Sequence, residues 1–72
     1  MDLIEALEMA IKDEQAAVEK YRCHARQAEQ PENRLLFEQL AREEETHLAR
    51  LTERLQAIKL LGFEKKNLTG DF

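Results

Sequence analysis

One helix breaker, Pro31 in the segment Gln30-Pro31-Glu32-Asn33, stands in the first sixty residues of this chain, and no glycine occurs before Gly62. Everything else there belongs to two long uninterrupted stretches. In the first, Ile4, Leu7, Ile11, Val18, Tyr21, Ala25 and Ala28 recur in alternating steps of three and four, with Glu14 the one polar member of the series. That period is the apolar stripe of an α-helix. Asp2 is a suitable N-cap, so the spacing predicts a helix over about residues 3–28, about 40 Å long at 1.5 Å per residue. In the second stretch the stripe reads Phe37, Leu40, Leu51, Leu55 and Ile58, with Glu44 and His47 filling the steps between Leu40 and Leu51. Pro31 suits the first position of this helix, where its missing N–H costs no hydrogen bond, and Gly62 suits the C-terminal cap. The two helices are expected to be of similar length.

Two such helices joined by a short turn make an antiparallel αα-hairpin, so the expected fold class is all-α. Residues 1–62 would form the hairpin and residues 63–72 a short polar tail. A chain of 72 residues buries only about 60% of the surface that its unfolded form exposes. The lone Cys23 excludes internal disulfides and a four-cysteine metal knot as staples, which leaves oligomerisation. Apolar residues beside the stripes point the same way: Leu3, Met9 and Ala17 on the first helix, and Leu36, Ala41 and Leu48 on the second, would stay exposed in a monomer. Two hairpins related by a two-fold axis would cover them in a four-helix bundle.

Fifteen acidic against eleven basic residues give a net charge of -4 with no basic block, which argues against a nucleic-acid partner and favours small cations. Leu3-Ile4 is broken by Glu5, so no segment resembles a signal peptide's apolar core or a membrane span. Together with the unpaired Cys23, most simply a solvent-facing free thiol, this points to a reducing, cytoplasmic location.

The polar residues inside the stripes carry the functional signal. Counted from the turn, Glu14 lies about 16 residues before it, and Glu44 and His47 about 14 and 17 after it, so the three reach one height in the hairpin. Glu44 and His47, spaced i, i+3, project from one helical face. The other acidic residues test this assignment: Glu5, Glu8, Asp13, Glu19, Glu43 and Glu45 all fall off the core positions. A single core Glu is often a residue snorkelling from a helix end, and a single core His is often a satisfied packing residue; the joint pattern is what sets these three apart. Buried unpaired carboxylates cost several kcal/mol, so something must neutralise them. A two-fold dimer would gather four Glu and two His, and two divalent cations would balance the four carboxylates. Mixed oxygen and nitrogen donors suit iron or manganese, with zinc a competitor.

Glu14 followed by Tyr21, then Leu36-Phe37-Glu38-Gln39-Leu40-Ala41-Arg42-Glu43-Glu44-Glu45-Thr46-His47, resembles the ferritin-like superfamily, most of all rubrerythrins and encapsulated ferritins, over about residues 3–58. Those proteins carry a Glu on one helix and Glu-x-x-His on the next, twice around a di-iron centre. The pattern occurs once here, so the resemblance implies a half-bundle that completes its site by dimerising, with two iron ions per dimer. It implies Glu14 as a terminal or bridging carboxylate, Glu44 as the bridging carboxylate and His47 as the nitrogen ligand, the same three carrying any catalysis. Tyr21 resembles the tyrosine that hydrogen-bonds a ligand carboxylate in that family; a core aromatic is the plainer alternative, as an interface or surface residue is for His24. Two departures stand out: Ala17 replaces the iron-sensing Glu of rubrerythrins, and one cysteine cannot form their appended rubredoxin domain.

The expected function is metal binding at a homodimer or higher homo-oligomer interface with Fe(II) oxidation or iron handling, a ferroxidase-type oxidoreductase. The alternatives are a rubrerythrin-type peroxide reductase that draws on an external electron donor, and a structural oligomeric module without redox activity. Leu68-Thr69-Gly70 resembles the targeting peptides of encapsulin cargo, which would make an encapsulin shell a partner; an ordinary flexible tail is the simpler reading.

Overall fold

The computed structural model of the chain describes residues 1–62 and contains two helices, α1 (Leu3–Gln27) and α2 (Pro31–Leu61). The expected polar tail, with Leu68-Thr69-Gly70, lies outside the described residues. Helix α1 starts with a reciprocal capping box: the Asp2 carboxylate accepts from the Glu5 N–H at 2.8 Å, and the Glu5 carboxylate accepts from the Asp2 N–H at 3.4 Å. It ends at Gln27, one residue short of the expected bound, where Ala28 turns extended (φ -69°, ψ 129°). Pro31 then sets the second start. A proline disfavours helical backbone in the residue before it, and Gln30 is extended (φ -94°, ψ 134°), while its carbonyl accepts from the N–H groups of Asn33 and Arg34, each at 3.1 Å.

Helix α2 has 31 residues against 25 in α1, so the expectation of similar lengths is corrected. The reason is local: nothing between Pro31 and Gly62 can stop a helix. Gly62 does so by adopting the left-handed conformation (φ 65°), with its N–H donating to the Ile58 carbonyl at 2.9 Å. No helix among the described residues is long and apolar enough to cross a membrane.

The two helices pack side by side into a rod of 53 × 17 × 16 Å. Their stripes face each other, yet only Ala25 and Ala41 are fully enclosed, at 5% and 3% exposure. Ala41, expected beside the seam and exposed, is instead enclosed within it, since a methyl side chain is small enough for the facing helix to cover. Leu3, Ala17 and Leu48 are half-covered rather than exposed, whereas Met9 and Leu36 do remain in the open. Every large apolar residue of both stripes keeps part of its surface accessible, since one helix can cover only one arc of its neighbour.

The two flanks of the seam differ. On one, ion pairs cross the hairpin from Arg22 to Glu45 and from Lys59 to Glu8 (3.7 Å). On the other, the Phe37 ring packs against Tyr21 (centroids 6.4 Å apart) and His24 (5.1 Å).

Enlarging an enclosed side chain of the seam should therefore strain the packing. Ala41→Leu is expected to lower stability by about 1–3 kcal/mol, read as the denaturant midpoint at one fixed protein concentration. Ala49→Leu, on an exposed position of the same helix, should leave the midpoint within the error of the measurement.

Candidate metal centre

Glu14 projects from the middle of α1, and Glu44 and His47 project from successive turns of α2. Their donor atoms all lie within 4.8 Å of one another. The imidazole Nδ1 of His47 stands 3.1 Å from Glu44 Oε1 and 3.3 Å from Glu14 Oε2, so one ring nitrogen faces both carboxylates. The three residues that the heptad count brought to one height do meet in space.

They do not meet in a closed core. The side chains of Glu14 and Glu44 are 22% and 21% exposed, while His47 is 55% exposed, which corrects the expectation that all three are enclosed. His47 lies at the rim of the contact arc, on the flank that carries Leu36 and the Tyr21–Phe37 pair, and a hairpin has no third helix to cover that rim. The cluster is thus an open half-shell: two carboxylates held against the seam and an imidazole reaching over them from the exposed side.

Among the described residues, the His47 ring is the one nitrogen donor within reach of either carboxylate. Two acidic groups drawn together at reduced exposure repel each other unless a positive centre stands between them. A divalent cation there would receive two carboxylate oxygens and one imidazole nitrogen, a donor set suited to iron, manganese or zinc, and would keep coordination positions free on its open side. The residues present therefore fit a metal.

Tyr21 is bound through its ring rather than its hydroxyl. It stacks on Phe37, Lys20 Nζ lies 4.9 Å from its centroid, and among the described residues it makes no hydrogen bond to Glu14 or Glu44. His24 lies exposed against Phe37, Ala17 is half-covered, and Cys23 is a free, half-buried thiol. Sequence reading left Glu45 on the outside and missed its bond to Arg22. Height counting could not find that pair, since Arg22 lies about 8 residues before the turn and Glu45 about 15 after it. Side chains tilt toward the N-terminus of their own helix, so on antiparallel helices these two lean toward each other and close the gap.

Removing any donor should weaken divalent metal binding sharply. For Glu14→Gln, Glu44→Gln and His47→Ala, Co(II) titration followed by visible absorption is expected to show a loss of at least about tenfold, or 1.4 kcal/mol. Glu43→Gln, next to the cluster in sequence but off the core positions, should bind like the parent.

The family model described as Rubrerythrin matches residues 5–67, a span that takes in α1 from Glu5 on, all of α2 and all three donors. No curated protein and no solved structure matches the chain significantly. With most of its length matched, this helical hairpin is a member of the Rubrerythrin family.

Proposed function

We propose that the hairpin is one half of a ferritin-like four-helix bundle, and that two copies complete a dinuclear site that handles iron by oxidising Fe(II). The observation that carries this reading is the open cluster of Glu14, Glu44 and His47, three donors converging on a flank that their own chain leaves uncovered. A second copy placed on that flank would supply three more. Four carboxylates and two imidazoles would then hold two divalent ions near charge balance, with iron first and manganese or zinc as competitors. Two Fe(II) ions held there would supply one electron each, which together with two protons would reduce dioxygen to hydrogen peroxide or hydrogen peroxide to water. The chain's own part is to bind: Glu14 and Glu44 supply the carboxylates and His47 the nitrogen, with Ile11, Val18, Leu40 and Leu51 one turn away along the same stripes. Tyr21 leans along α1 toward Glu14, and in the assembled bundle its hydroxyl is assigned to a ligand carboxylate.

The position of the cluster supports one geometry for the pair. On α1 the covered stripe runs from Ile4 to Ala25, and on α2 from Phe37 to Ile58, so Glu14 and the Glu44–His47 pair each fall near the middle, about 15 Å from either end at 1.5 Å per residue. A two-fold axis perpendicular to the helices and passing through the site would superpose the two apolar faces only if the site is central. In a parallel pairing no such centring is needed. The second copy is therefore assigned an antiparallel orientation, with the two turns at opposite ends.

Two measurements test this. Native mass spectrometry after anaerobic Fe(II) addition is expected to show two irons per dimer, and Glu44→Ala and His47→Ala proteins should oxidise Fe(II) no faster than buffer; an iron-free dimer, or variants with parental rates, would return the cluster to a polar packing role. Nitroxides placed at Glu32 should lie about 40 Å apart in an antiparallel dimer, from about 13 residues of helical rise on each side of the axis, whereas a parallel dimer would bring them close together.

A further inference from the structure

On the flank opposite the metal cluster, Arg22 and Arg26 of α1 and Arg34, Glu38, Arg42 and Glu45 of α2 surround a cleft of about 350 Å³. Its floor is formed by Ala25 and Ala41, the two enclosed residues among those described. Four of the six arginines of an otherwise acidic chain thus meet in one place.

Internal pairing does not account for them. Arg22 is matched by Glu45. Arg26 reaches out of the cleft to Glu19 at 3.4 Å, a pair with both side chains largely exposed. The Arg34 guanidinium has only the Ala28 carbonyl, at 3.4 Å. Arg42 makes no side-chain hydrogen bond or ion pair among the described residues, and neither does Glu38, although Arg34 and Arg42 stand one turn to either side of it on α2. Three guanidiniums therefore remain around the cleft without a carboxylate inside it to hold them, against one unmatched carboxylate.

We propose that this cleft is a binding site for a small oxyanion carrying two or more negative charges. Guanidiniums offer forked donors that grip phosphate or carboxylate oxygens in pairs, and donors arriving from two helices can engage different oxygens of one compact ion. The short alanine side chains of the floor leave the space between the arginines open. The chain's net charge of -4 gives no long-range attraction for anions, so recognition is local and favours multivalent ions over chloride. None of the cleft residues belongs to the metal cluster, so the proposal stands or falls apart from the proposed function.

The test is titration of the full, metal-free chain with inorganic phosphate at constant ionic strength, followed by NMR of the arginine Nε–H groups. Saturable shifts are expected at Arg26, Arg34 and Arg42, with sulfate competing and chloride not. Arg42→Gln should weaken binding at least about fivefold, Glu38→Gln should tighten it by removing the opposing charge, and Arg50→Gln should leave it unchanged. All three positions are exposed, so the fold is not at risk. Shifts that never saturate, equal shifts at Arg50 and Arg54, an unchanged affinity in Arg42→Gln, or a weaker one in Glu38→Gln would overturn the assignment. A phosphate response that tracks subunit association instead of these resonances would also overturn it and make the cleft a contact between copies.

Discussion

The imidazole of His47 lies against two carboxylates from different helices, 3.1 Å from Glu44 and 3.3 Å from Glu14, and this three-way contact constrains the whole hairpin. It demands that α1 and α2 be in one register and in one rotation about their axes. Slipping α2 by a single residue would turn its side chains by about 100° and carry Glu44 and His47 off the face of Glu14. The apolar stripes are consistent with that register, because Glu14, Glu44 and His47 occupy positions of the same repeat that places Leu7, Val18, Leu40 and Leu51 in the seam.

What maintains the register is weak when taken singly. The pairs Arg22–Glu45 and Glu8–Lys59 are about half exposed, and such pairs contribute about 0–1 kcal/mol each. The two enclosed side chains among the described residues are alanines, which bury little apolar area. No large side chain among the described residues is fully enclosed. Burial is the main stabilising term in a folded chain, so a hairpin whose leucines, valine and isoleucines all keep contact with water has much of its possible stabilisation still unrealised. Leu36 and the rim around His47 are part of that unfinished surface, which is why site completion and stability are proposed to have one cause in the second copy.

The seam also separates two environments. One flank gathers aromatic and aliphatic residues around the cluster of two acids and an imidazole; the other gathers guanidiniums over an alanine floor. A two-helix unit has only these two lateral flanks, and here they differ in charge as well as polarity. The proposed cation site and the proposed oxyanion site draw on separate residues, so neither needs a side chain of the other.

Periodicity, one proline and one glycine were enough to read the helical hairpin, its capping residues and the meeting of Glu14, Glu44 and His47. These depend on local rules: 1.5 Å of rise per residue, the loss of helical backbone before proline and the left-handed freedom of glycine. The burial of Ala41, the exposure of His47, the Arg22–Glu45 pair and the arginine-lined cleft were not legible there. Each depends on how far apart the helix axes lie and how each side chain tilts, and a repeat of three and four residues carries neither quantity. The sequence by itself determined which residues stand at one level; only the tertiary structure decided which of them are covered, because coverage is set by the neighbouring helix and not by position along the chain.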